Sequence, residues 1–76
     1  MTIKKNIDKS NRLAKLGPNL KKIRNQKDLT QEGFAELIGV SGRIIYDYED
    51  GFKYPSLNRV VIIAEVLGVT VDSLLR

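Results

Sequence analysis

The fold turns on the stretch Leu29-Thr30-Gln31-Glu32-Gly33-Phe34-Ala35-Glu36-Leu37-Ile38-Gly39-Val40-Ser41-Gly42-Arg43-Ile44-Ile45-Tyr46-Asp47-Tyr48-Glu49-Asp50-Gly51. It reads as two short amphipathic helices joined by one tight turn. Thr30 is a good N-cap for a helix running to about Ile38, with Phe34, Leu37 and Ile38 on its apolar face. A reciprocal capping box is missing, because Gly33 occupies the third helical position where Glu or Gln would reach back. Glycine there costs about 1 kcal/mol of helix propensity relative to alanine. Gly39 ends this helix in the left-handed conformation. Ser41 caps the next helix, over about 42–49, with Ile45 and Tyr48 facing inward, and Asp50-Gly51 stops it. A helix pair this short buries little by itself, so its geometry is expected to serve something outside the core.

Downstream, Phe52 to Pro55 form a loop. Pro55 disfavours helix at Tyr54, and Ser56 caps a further helix. The β-branched run Val60–Ile63 suggests a strand, but the length of Leu57–Leu67, the Ser56 cap and the Gly68 stop favour helix. Leu57, Val60, Val61, Ala64 and Leu67 are expected to form its core stripe. Thr70 then caps a last short helix through Leu75. Upstream, Gly17-Pro18 is expected to open the first helix, because proline suits the first turn. Leu20 and Ile23 face inward, Lys21, Lys22 and Lys27 face out, and the helix ends near Lys27–Asp28. Residues 1–16 hold only sparse apolar side chains and read as a flexible leader, with at most a weak helical turn near Asp8–Leu16. The expected domain is therefore residues 17–76: all-α, with five short helices.

Seventy-six residues make one small domain near the lower limit for independent folding. The chain has no cysteine and no histidine, which removes disulfides, thiolate metal sites and a structural zinc finger. No metal, cofactor or small-molecule ligand is expected. The same absences, with no Gly-rich phosphate loop, leave few nucleophiles or bases, so an enzyme is not expected. No apolar run approaches the ~20 residues of a membrane span, and no hydrophobic segment follows Lys4-Lys5 as in a secretory signal. A cytoplasmic protein is expected. The net charge of +4 is unevenly spread. Residues 1–27 carry nine Lys or Arg against one Asp, and residues 28–76 carry four basic against eight acidic side chains. The basic third is either a solvated tail or an arm lying beside a polyanion. Beside a short helix pair, the polyanion of choice is duplex DNA, whose major groove accepts one helix of such a pair.

The residues Ile23-Arg24, Leu29-Thr30-Gln31, Phe34-Ala35, Ile38-Gly39-Val40-Ser41, Ile45, Tyr48-Glu49, Gly51, Pro55-Ser56-Leu57 and Ala64 with Leu67-Gly68-Val69 carry a resemblance. Over roughly Leu20–Leu75 the chain resembles the lambdoid phage repressor and Cro family of XRE-type helix-turn-helix proteins. That resemblance implies a compact five-helix, lambda-repressor-like DNA-binding domain with the helix-turn-helix at helices 2 and 3, helix 3 entering the major groove. Ala35 falls where a small side chain lets the two helices cross, and Gly39 falls at the turn. Arg24 and Glu49 fall where related repressors join helix 1 to the end of helix 3 by an ion pair. Gly42, Arg43, Ile44, Tyr46 and Asp47 fall at base-reading positions. Arg43 leads, because a guanidinium can donate two bonds to guanine O6 and N7. Ile44 is matched to a thymine methyl, and Asp47 either to cytosine N4 or to repulsion of non-target phosphates. Gln31, Ser41, Lys53 and Tyr54 fall at phosphate-contacting positions. Gly42 departs from the family, which often has a long polar side chain there, and Asp47 and Asp50 place acid near an expected phosphate path.

The implied function is a sequence-specific double-stranded DNA-binding transcriptional regulator, a repressor bound to a two-half-site operator. The alternative is an antitoxin-type module that binds DNA while residues 1–16 wrap a partner protein. One helix-turn-helix reads only a few base pairs, so a homodimer is expected. Its interface is assigned to Ile62, Val66, Val69, Val71, Leu74 and Leu75.

Overall fold

The computed structural model describes residues 13–76, which form five α-helices and no strand. They are α1 (Leu13–Gln26), α2 (Gln31–Ile38), α3 (Gly42–Glu49), α4 (Leu57–Leu67) and α5 (Val71–Leu75). The four later helices begin alike. Thr30, Ser41, Ser56 and Thr70 sit in extended backbone, and each side-chain oxygen accepts from the backbone N–H three residues on. Each of these caps is legible as a Ser or Thr just before an apolar period.

The four longer helices also end alike. Asp28, Gly39, Gly51 and Gly68 adopt positive φ. The next residue then donates its N–H five positions back: Leu29 to Arg24, Val40 to Ala35, Phe52 to Asp47 and Val69 to Ala64. This is the Schellman closure, which satisfies carbonyls that the helix end would otherwise leave unpaired. Leu29, Val40 and Val69 then pack against the core, so each of these turns also contributes an apolar side chain.

Leu16, Leu20, Phe34, Ile45, Ile63 and Leu74 are the largest fully buried side chains, with Ala35, Tyr48, Val60, Ala64 and Leu67 around them. Three expectations change here. First, α1 begins at Leu13 rather than at Gly17, so residues 13–16 belong to the folded domain; the rest of the expected leader, residues 1–12, lies outside the described residues. Proline inside a helix normally forces its predecessor out of the helical region, largely through that residue's Cβ. The predecessor here is Gly17, which has none. Second, the stripe of α4 is Val60, Ile63, Ala64 and Leu67. Val60, Ala64 and Leu67 are buried as expected, but Leu57 is 78% exposed and Val61 also faces out, because the buried face is rotated toward Ile63. Third, Leu37 of α2 is exposed, leaving Phe34 and Ala35 as the buried pair of that helix.

Helix α5 is tied back to α1 by Asn19, whose side-chain amide donates to the Leu74 carbonyl at 2.9 Å. Leu74 itself is 0% exposed. This corrects the assignment of Leu74 to a dimer interface: it fills the domain's own core.

Candidate nucleic-acid interface

Helix α3 is held at its C-terminal end from three directions. Arg24 of α1 grips Glu49 with two bonds, Nε to Oε2 at 2.6 Å and Nη2 to Oε1 at 3.1 Å. Its Nη1 donates to the Leu29 carbonyl in the turn before α2. Gln31, at the start of α2, donates its side-chain amide to Glu49 Oε1 at 3.1 Å. The expected ion pair between Arg24 and Glu49 is thus present, buried and fully hydrogen-bonded; among the described residues no buried side-chain nitrogen or oxygen lacks a partner. Such a fork is geometrically specific, and its desolvation offsets much of its attraction. The third hold is backbone contact: Gly17 packs directly against the carbonyls of Tyr48 and Glu49. Sequence reasoning misses this role of Gly17, because a glycine in front of a proline reads equally well as a helix start.

One face of α3, at Arg43 and Tyr46 and with its Ser41 cap, is open to solvent. Ser41 accepts from the Ile44 N–H at 3.4 Å and is exposed, as a residue that both caps and meets a phosphate would be. The Arg43 side chain is 75% exposed, Tyr46 is exposed and Ile44 is half-buried. The Arg43 guanidinium lies over the Tyr46 ring, 5.2 Å from its centroid. Tyr46 in turn leans on Phe52, with ring centroids 6.2 Å apart. Its hydroxyl is held above the ordinary tyrosine range by a hydrogen bond to the Asp50 carboxylate and by that group's negative charge. Lys53 and Tyr54 follow in the loop, both exposed. Tyr54 lines a small cleft with Leu13, Pro18 and Asp50.

Three expected site residues are placed differently. Gly42 stands against α2: a Cβ there would meet Glu32 Cγ at 2.9 Å. Its lack of a side chain serves the approach of the two helices rather than a base. The Asp47 side chain is only 7% exposed, and pairs with Arg43 Nε at 3.2 Å and Lys53 Nζ at 3.8 Å, so it does not project toward a base. Gln31 directs its amide to Glu49, so it supports the ion pair instead of standing free for a phosphate. Each correction has one cause. Spacing along a helix places a residue on a face but does not say what a neighbouring helix brings to that face.

A helix-turn-helix family model matches residues 20–74. The chain belongs to the XRE-type helix-turn-helix family. It is 38% identical over 58 residues to YqaE and 36% identical over 58 residues to YazB, both named HTH-type transcriptional regulators of Bacillus subtilis (strain 168). It is 39% identical over 56 residues to BcrR of Enterococcus faecalis, named an HTH-type transcriptional activator. These alignments cover 76%, 76% and 74% of this chain, and 50%, 84% and 28% of YqaE, YazB and BcrR respectively. The chain therefore spans half or less of two of the three. What it shares with all of them is the helix-turn-helix DNA-binding domain found in regulators of transcription, and their names point away from catalysis. No helix among the described residues is long and apolar enough to cross a membrane.

Proposed function

We propose that this domain reads duplex DNA with the exposed N-terminal half of α3 in the major groove, and that the protein acts in the cytoplasm as a repressor on a two-half-site operator. The observation that carries the reading is the contrast along α3. Its C-terminal end is clamped by Gly17, Arg24 and Gln31, while Ser41, Arg43 and Tyr46 remain open on the other side, with Ile44 half-buried beside them. A reading helix needs both features: a rigid mount, and side chains free to meet base edges. Lys53, together with the exposed Lys21 and Lys22, supplies positive charge for phosphates. Two copies on two half-sites raise specificity beyond what one helix can read. Half-buried Ile62 and exposed Val66, one turn apart on α4 and away from its core stripe, support a homodimer. Val69, Val71 and Leu75, the other residues of the proposed interface, are partly buried against the domain's own core.

The deciding experiment is selection of bound duplexes from a random pool, followed by affinity measurement on the selected site. Arg43→Ala should cost about 1–3 kcal/mol and relax preference at one base pair. Lys53→Ala should weaken all sequences alike. Log affinity should fall with log salt at about 0.9 per phosphate contact. Equal loss on every base substitution after Arg43→Ala would make Arg43 a phosphate contact. A reporter driven from the selected site separates repression from activation, and co-purification of a second small protein would instead support the antitoxin-type reading.

A further inference from the structure

Asp47 is the one buried carboxylate of α3 that takes no part in the Arg24–Glu49 network. It bridges two exposed cations, with Oδ1 toward Arg43 Nε at 3.2 Å and Oδ2 toward Lys53 Nζ at 3.8 Å. The geometry at Arg43 is selective. Nε–H is engaged by Asp47, the guanidinium face rests on Tyr46, and among the described residues neither Nη has a protein partner. The free pair of Nη groups is the edge that a guanine O6/N7 contact uses. We propose that Asp47 is a positioning residue: its carboxylate orients Arg43 for base reading and weakens the attraction of Lys53 for phosphates, so it raises specificity while lowering general affinity for DNA. This inference rests on the reading of α3 as the major-groove helix.

A long arginine side chain carries much rotamer freedom, and fixing it before contact lowers the cost of ordering it on DNA. A buried carboxylate i+4 on the same helix is well placed to fix it. The same carboxylate repels phosphates, which penalises every sequence equally. The correct site recovers that loss through the oriented Arg43, and a wrong site does not.

The test compares the selected duplex, the same duplex changed at the base pair read by Arg43, and an unrelated duplex. Asp47→Ala should reduce discrimination at that base pair on the order of tenfold. It should also tighten binding to the unrelated duplex, as the Lys53 contact to phosphate loses a competing carboxylate. Asp47→Asn, which keeps an acceptor for Nε but loses the charge, should tighten unrelated binding while retaining most of the discrimination. In an Arg43→Ala background, Asp47→Ala should no longer change discrimination. Persistence of its effect there means that Asp47 reads a base itself and overturns the proposal. Unchanged discrimination in Asp47→Ala, with discrimination lost in Arg43→Ala, overturns the positioning role alone. Intact discrimination in Arg43→Ala overturns base reading by Arg43 and the positioning role with it. A measurement on the unaltered protein guards against misfolded variants. The Arg43 Nε–H should exchange with water more slowly than that of arginine in an unstructured peptide, and equal rates overturn the proposal.

Discussion

Gly17 and Glu49 meet backbone to backbone: a Cβ on Gly17 would lie 2.5 Å from the Glu49 carbonyl oxygen and 2.6 Å from that of Tyr48. Carbonyl oxygens cannot swing aside as a side chain can. The contact therefore sets how closely α1 approaches the end of α3, and with it the tilt of the presented helix.

Gly17→Ala is accordingly expected to destabilise by about 1–3 kcal/mol, the range for overpacking. In a solvent-facing helix interior the same change stabilises by about 1 kcal/mol. The two mechanisms predict opposite signs, so a denaturant midpoint decides between them. A raised midpoint would mean that α1 can move away freely.

Removing one partner of the Arg24–Glu49 pair leaves the other buried and charged. Arg24→Met should cost about 3–5 kcal/mol, whereas Arg24→Met combined with Glu49→Leu should restore much of that stability. Urea denaturation of the two single variants and the double variant measures the coupling. DNA affinity of a stable double variant then reports how far the pair fixes the orientation of α3.

Asp28 occupies a left-handed position, φ 59°, that glycine takes at the ends of the other three long helices. An L side chain is strained there, and its negative charge lies at the negative end of the α1 dipole. Asp28→Gly should raise stability by about 1 kcal/mol, seen as a higher melting temperature, because relief of both terms exceeds the added entropy of the unfolded chain.

The hydrogen bond to Asp50 raises the pKa of Tyr46 above its usual value of 10.0. A raised folded-state value favours the protonated phenol. Its contribution to stability is present below the unfolded tyrosine pKa and is lost as pH climbs through the folded one. In Asp50→Asn the Tyr46 titration followed by NMR should move down toward that of a free tyrosine. An unmoved midpoint would remove Asp50 as the cause.

Ile62→Glu and Val66→Glu place charge on the outward face of α4. Both should shift sedimentation toward monomer and weaken binding to a two-half-site duplex more than to a half-site. Folded variants with unchanged association and palindrome affinity would exclude this face as the interface.

Local chemistry makes much of this protein legible in sequence. Thr30, Ser41, Ser56 and Thr70 mark helix starts, and Gly39, Gly51 and Gly68 mark ends, because capping and left-handed turns depend on residues within one turn of each other. The Arg24–Glu49 pair is legible through family resemblance, which transmits a tertiary contact that spacing cannot. The tertiary structure alone decided the rest. Pro18 lies inside α1, where its predecessor Gly17 has no Cβ to clash with the proline ring and leaves room for the end of α3. Leu57 faces water and Ile63 the core because the rotation of α4 about its axis is set by packing against its neighbours. Asp47 passes from expected base reader to bridge between Arg43 and Lys53 because burial and partners depend on what the folded chain brings near a side chain. Sequence by itself determined where most of the helices begin and end and the centre of most buried faces; only packing decided the side chains at the edges of those faces and their partners.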